Sequence, residues 1–415
     1  MNRILSTAIL TAVSVCAFGA DYMKSATAIK EVFGDGAKVT SIELVYDEPI
    51  DSTTLNLSTF SVDNMEVTNV HTRDNSVILS LKHDLQLMQD REAGAGRRIQ
   101  GPRSEQNNRN EQHHGGPMQM RDHGQQPKQS ISVKQNASIK SLSGVEYEPS
   151  NQALVVESER TLVAEDFLSL SYNDAAKGKT LSYNLFVPEN YNPNEKYPLI
   201  MFIHDASIAS RPLGSALTQG NGATTWATPE WQAKHPCFVL APQFETVQVD
   251  DDFNVQPELD VCLSLVDSLL NQYSIDRDRV YTTGQSMGCM SSYVLMLRRP
   301  DLFASAMLVA GQWDANALAP LANMNLWLLS CKGDVKSSEG VAAAIDVWKA
   351  NGAEVVEQEW PLQDTAEGRA QSVKAMLDAG GNIHYTHFAG GSHMNTWRVA
   401  YDIDGVKEWL FEQHK

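Results

Sequence analysis

The chain reads as a doubly wound, mostly parallel α/β sheet over 161–415, preceded by a small all-β sandwich over 21–160. Three observations predict this. From about Thr161 onward, continuous apolar runs of strand length alternate with amphipathic helical stretches, the pattern of a parallel sheet covered on both faces. Ahead of that point, short runs of alternating polarity are separated by turn-forming Asp, Asn and Pro, which is the spacing of a small antiparallel sandwich. Finally, Gly284-Gln285-Ser286-Met287-Gly288 stands where one apolar run gives way to a helical one, so the second part needs a tight strand-to-helix turn at its centre.

Taken in order, residues 1–20 carry one basic residue, Arg3, then an uncharged apolar run, then Ala17, Gly19 and Ala20 ahead of Asp21. The run is shorter than the roughly 20 residues that span a bilayer. It is expected to be a signal peptide, removed on export to the periplasm or the exterior. Cys16 follows Val15, where a lipoprotein signal prefers a small residue, so lipidation is the minor alternative. Sandwich strands are expected at 41–46, 59–62, 66–71, 77–82, 131–133, 138–142 and 154–156. Between them, 89–129 is crowded with Gln, Arg, Asn, Gly and His and has almost no core-forming residues, which predicts a disordered insertion within a hairpin. Its His113, His114 and His123 offer adventitious metal binding at most; an inert solvated excursion is the preferred reading.

In the second part, strands are expected at 181–187, 199–203, 238–240, 280–283, 306–309, 326–329 and 383–388. A helix over 257–273 aligns Leu259, Cys262, Leu265, Val266, Leu269 and Leu270 at helical spacing. Four cysteines remain after the leader, Cys237, Cys262, Cys289 and Cys331, with no CxxC, so the fold is expected to rest on its core, with buried thiols acting as small apolar groups.

Composition narrows the function. With 42% hydrophobic residues, 26 Gly and 16 Pro, the chain is globular. Its 33 basic and 51 acidic side chains leave a net charge of −18, which disfavours nucleic acid and anionic membrane surfaces as partners. After loss of the leader no segment is expected to insert in a membrane. A homo-oligomer is left open.

The chemistry is carried by the strand-turn-helix at Ser286. A G-x-S-x-G turn in this setting is a nucleophile elbow, exposing the serine Oγ at the strand end, and its glycines are needed because a Cβ there would strike the neighbouring elements. A serine hydroxyl needs a base, and the base needs an acid to hold its tautomer. In the α/β-hydrolase order of Ser, acid, His, Asp334 follows the 326–329 strand in Ser330-Cys331-Lys332-Gly333-Asp334, and His393 follows the last strand in Ala389-Gly390-Gly391-Ser392-His393. Asp314, after Gly311-Gln312-Trp313, is the alternative acid. The oxyanion would be met by the backbone amides of Met287 and of Ala206, in the loop His204-Asp205-Ala206-Ser207. His204 is read as shaping that loop, the Met287 side chain as packing, and Trp397 as either a wall of the substrate pocket or a core residue.

Tyr183-Asn184-Leu185-Phe186-Val187-Pro188, Tyr197-Pro198-Leu199, Phe238-Val239-Leu240-Ala241-Pro242-Gln243 and Ile275-Asp276-Arg277-Asp278-Arg279-Val280-Tyr281, with the elbow, Gly391-Ser392-His393 and Trp397, carry a resemblance. Together they resemble the polyhydroxybutyrate-depolymerase-like and feruloyl-esterase-like branch of the α/β-hydrolases, particularly secreted esterases with an immunoglobulin-like N-terminal domain. The resemblance implies carboxylic-ester hydrolysis by Ser286, Asp334 and His393 without cofactor or metal. The substrate is expected to be a short acyl ester, a polysaccharide-linked plant-wall acetyl or feruloyl ester, or a polyester. The family usually has His-Gly at the oxyanion loop, where this chain has His204-Asp205.

Three other readings stand beside it. A zinc hydrolase using His384, His387 and His393 is disfavoured, because strand residues three apart face opposite ways. A serine peptidase would use the same triad. A catalytically inactive protein binding a carbohydrate or a partner is the reading from another class. Specificity is expected to reside in 359–380.

Overall fold

A computed structural model describes residues 22–85 and 130–415. The expected signal peptide with Cys16, and the 89–129 insertion with His113, His114 and His123, lie outside the described residues.

The N-terminal part packs a five-stranded sheet, ordered Ser158–Thr161, Met23–Phe33, Gly36–Tyr46, Ser76–Leu81, Val67–Arg73, against a three-stranded sheet of Phe60–Val62, Ser132–Gln135 and Leu154–Val155. Alternation decides the faces: Thr40, Ile42, Leu44 and Tyr46 are buried while the residues between them are not. Ile42, Leu44, Val77 and Leu79 share one core with Phe60, Val62 and Val133. Two strands of the five-stranded sheet were not legible in the sequence. Met23–Phe33 has a register shift at Ile29/Lys30 that breaks its period of two. Ser158–Thr161 is polar and mostly exposed, and it makes the one parallel pairing in this sheet.

The larger part is a nine-stranded sheet ordered Leu168–Asp174, Lys179–Phe186, Phe238–Gln243, Tyr197–Ile203, Ile275–Gln285, Ser305–Val309, Asn325–Cys331, Ile383–Ala389, Val355–Pro361. Only Lys179–Phe186 runs against the rest. Along Tyr197–Ile203 every residue is buried, yet the faces still alternate. Leu199, Met201 and Ile203 join the core on one side, and Ile200 and Phe202 that on the other, as a sheet covered by helices on both faces requires. The helix Glu258–Gln272 buries Leu259, Cys262, Leu265, Val266, Leu269 and Leu270, within a residue of the expected bounds. Leu168–Asp174 and Val355–Pro361, the two edges, escaped the sequence reading because they are half exposed and lack a continuous apolar run. Cys237 and Cys262 are buried thiols that burial pushes up to about 12. No helix among the described residues is long and apolar enough to cross a membrane.

The two parts touch beside the histidine loop. A Cβ on Gly34, in the turn between Met23–Phe33 and Gly36–Tyr46, would lie 2.1 Å from the Arg398 carbonyl oxygen, so only glycine admits this approach to the helix His393–Ala400.

Candidate active site

Strand Ile275–Gln285 ends at Ser286, whose φ of 55° and ψ of −119° lie outside the regions open to most L-residues. Helix Met287–Arg298 begins at the next residue. The strain is held from three sides. The Ser286 amide donates to the Val309 carbonyl at 2.9 Å, a Cβ on Gly284 would meet Gly288 carbonyl carbon at 2.5 Å, and one on Gly288 would meet Ile203 oxygen at 1.9 Å. The elbow glycines are therefore fixed by the crossing of the central strands and the helix start, as the motif predicted.

His393 opens its helix after Gly390 and Gly391, both with positive φ. Its Nε2 lies 2.9 Å from Ser286 Oγ and its Nδ1 2.5 Å from Asp334 Oδ2. An ionised carboxylate only accepts, so Nδ1 carries the proton and Nε2 is left to accept from the serine hydroxyl. Asp334 is 8% exposed and caps helix Val335–Ala350. A Cβ on Gly333 would come within 2.1 Å of the Gly391 oxygen, so acid loop and histidine loop are packed together. The alternative acid is elsewhere engaged: Asp314 Oδ1 accepts from the Asn316 amide at 3.0 Å. Of the four candidates the structure joins Ser286, His393 and Asp334 in one hydrogen-bonded chain.

Met287 and Ala206 each begin a helical segment, where the amide has no intrahelical acceptor. The loop bearing Ala206 is tied down by two neighbours. The Phe244 amide donates to His204 Nε2 at 3.1 Å, so Nδ1 holds the proton it gives to the Asp205 carbonyl at 2.8 Å. His204 is fully buried, and desolvation holds its pKa down. Asp205, at the position where glycine was expected, accepts from the Ser207 amide at 2.8 Å, Ser207 Oγ at 2.5 Å and Gln285 Nε2 at 2.9 Å. Its carboxylate is consumed in capping the loop and bracing it against Gln285, the residue before Ser286. The Met287 side chain is buried and its sulfur accepts from the Gln248 amide at 3.3 Å.

A cavity of about 210 Å³ opens on Ser286, Asp334 and His393 and is completed by Met290, Ala310, Gly311, Gln312, Ser337, Asp251 and Lys336. Two expectations need correction here. Trp397 is 6% exposed, packs in the core and meets the His393 ring edge-on at 5.0 Å, so it supports the histidine and does not line the cavity. The 359–380 segment forms the end of an edge strand and the helix Ala366–Asp378 and contributes no lining residue. The residues that do, Asp251, Met290, Gln312 and Lys336, went unnoticed. The signal for Asp251 was its place in the loop after strand Phe238–Gln243, since open α/β sheets bind ligands beyond the carboxyl ends of their strands. A larger cavity, about 610 Å³, lies between the two parts and includes none of the three chain members. His384 packs against Trp327 and Trp409, whereas His387 lies 3.6 Å from Glu359, on the other side of the strand.

With this geometry in place, residues 25–148 match the esterase Ig-like N-terminal domain family, and residues 254–323, which include the elbow, match the prolyl oligopeptidase family. A crystal structure of a thermostable esterase is 25% identical with a TM-score of 0.71, covering 94% of this chain and all of that one. Acetylxylan esterase A of Emericella nidulans is 27% identical over 135 residues, which are 32% of this chain and 42% of that protein, so the chain spans less than half the length of that curated relative. The feruloyl esterase module of Clostridium thermocellum is 16% identical, with a TM-score of 0.40 over 58% of this chain and 86% of that one. The chain thus carries an esterase-type immunoglobulin-like N-terminal domain ahead of an α/β-hydrolase fold.

Proposed function

We propose that this chain is a serine carboxylic-ester hydrolase, exported by its 1–20 leader, with 21–160 the immunoglobulin-like domain and 161–415 the catalytic one. The single observation that carries the reading is the hydrogen-bonded run from Ser286 Oγ through His393 to Asp334, set on a strained elbow. Ser286 Oγ attacks the ester carbonyl as His393 Nε2 takes its proton, and Asp334 stabilises the imidazolium through Nδ1. The amides of Met287 and Ala206 donate to the oxyanion. Collapse expels the alcohol, which takes the proton from His393. Water, deprotonated by the same nitrogen, then releases the acid from Ser286. Asp205 serves this scheme by fixing the loop of the second donor. The substrates the relatives' names suggest are polysaccharide-linked acetyl or feruloyl esters.

The match of 254–323 to the prolyl oligopeptidase family favours one other reading, a serine peptidase of the same fold. Hydrolysis of p-nitrophenyl acetate, butyrate and octanoate, beside a peptide p-nitroanilide and with Ser286→Ala as control, separates the two. Ester turnover lost in the variant supports the proposal. Turnover of the anilide alone supports the peptidase, and a folded protein inert on all four overturns both.

A further inference from the structure

The loop 244–257 joins the cavity rim to the oxyanion side of the site. At one end the Gln248 amide is bonded to the Met287 sulfur, and Gln248 Nε2 donates to Glu258 Oε2 at 2.6 Å. Its tip is stapled into a small hairpin. Val249 bridges Val255, Asp250 Oδ1 accepts from the amides of Asp252 and Asn254, each at 3.0 Å, and the Phe253 amide donates to the Asp250 carbonyl at 3.1 Å.

This hairpin holds Phe253 at φ 64°, a left-handed conformation that a bulky aromatic residue rarely adopts, and leaves it 41% exposed. Folding stability alone would favour Gly or Asn there, because they reach this region at little cost. The Phe253 ring rests edge-on against Trp313 at 5.1 Å, with an interplanar angle of 66°. Trp313 follows Gln312, which lines the cavity over Ser286. Two residues before Phe253, Asp251 lines the same cavity and pairs with Lys336, two residues after Asp334. The rim therefore sets an apolar ring, braced from behind, next to a carboxylate and an ammonium that are both more than half exposed. A flat apolar face beside convergent charged donors and acceptors suits a pyranose ring, whose C–H face stacks while its hydroxyls bond at the edge.

We infer that loop 244–257 is the leaving-group subsite, with Phe253 as the platform for a sugar residue and the Asp251–Lys336 pair binding its hydroxyls. The inference rests on the esterase reading of Ser286 and assigns the residues that would hold the alcohol side of the ester. The cavity behind the platform then serves a small acyl group.

The test compares kcat/KM of the full mature protein on acetylated xylo-oligosaccharides and on ethyl acetate, for the wild type, Phe253→Ala, Phe253→Trp and Lys336→Met, with Ser286→Ala as the blank. The oligosaccharide-to-ethyl acetate ratio is expected to fall about tenfold in Phe253→Ala, equivalent to about 1.4 kcal/mol, through a raised KM. Phe253→Trp should restore it and Lys336→Met lower it. An unchanged ratio in Phe253→Ala, or equal losses on both substrates, overturns the platform while Ser286-dependent ethyl acetate turnover leaves the esterase reading standing. A wild type inert on both substrates overturns the two together.

Discussion

His384 should make the fold acid-sensitive in a measurable way. Its ring lies 4.8 Å from Trp327 and 5.2 Å from Trp409 and is 1% exposed, and Nδ1 finds no hydrogen-bond partner among the described residues. Burial without compensation lowers its pKa from the ordinary 6.5 to about 4. In the unfolded chain the ring titrates near 6.5, so below that pH the unfolded state binds a proton the folded ring refuses. The stability the neutral ring contributes is fully present above about pH 6.5 and is lost as pH falls toward about 4. At about 1.4 kcal/mol per tenfold difference in proton affinity, the whole effect is about 3 kcal/mol, of which about 2 kcal/mol is gone by pH 5. His384→Phe fills the same slot without titrating. Urea denaturation at pH 7.5 and pH 5.0 should show wild-type stability dropping more steeply than that of the variant, by about 2 kcal/mol. Any repacking cost of the larger ring is the same at both pH values and drops out of the comparison. His204, whose pKa burial also lowers, leaves a residual slope in the same direction. Equal slopes in the two proteins would refute the assignment of the acid sensitivity to His384.

Asp334→Asn is expected to lower ester kcat by about 10³–10⁴-fold, because the amide no longer holds the histidine tautomer. Asp314→Asn should leave it within about twofold, and steady-state kinetics showing the reverse order would reassign the acid. Gly288→Ala puts a Cβ 1.9 Å from a backbone oxygen that cannot swing aside, so destabilisation of about 3 kcal/mol or more is expected; wild-type-like thermal unfolding would contradict the packing described. Asp205→Ala removes three accepted hydrogen bonds. It should cost about 1–2 kcal/mol of stability and, by loosening the Ala206 amide, lower kcat about tenfold or more with little change in KM. A variant with normal kcat would separate Asp205 from the oxyanion loop.

Much of this was legible because local chemistry and tertiary geometry agree. The elbow's glycine spacing is written within five residues, and the order Ser286, Asp334, His393 follows from the ends of three parallel strands of one sheet. The apolar runs at 199–203 and 326–329 could hardly be anything but central strands. What escaped depends on contacts across the chain. Met23–Phe33 is a strand through its pairing with Gly36–Tyr46 and not through its own pattern. Asp205 reads as an intrusion until Gln285 and Ser207 are seen to occupy its carboxylate. Trp397, aromatic and four residues past the histidine, fits a pocket wall or a buried support equally well in one dimension. The cavity rim was missed because Asp251 and Lys336 are 85 positions apart and meet only through folding.

The crossing at Gly284, Gly288 and Ile203 bears on how such a protein diversifies. Strand Tyr197–Ile203 leads straight into the loop bearing Ala206, so the backbone that carries one proposed anion donor is in contact with the backbone that carries Ser286 and the other proposed donor, Met287. Neither can be displaced without the other, and no side chain lies at the contact to be exchanged. The inner machinery is therefore a single interlocked part that variation must keep or lose whole. Loops such as 244–257, tied to that part through the Phe244 amide and the Met287 sulfur and to the rim through Trp313 and Lys336, can be replaced one at a time, so new specificities should accumulate at the rim while the inner backbone stays as it is.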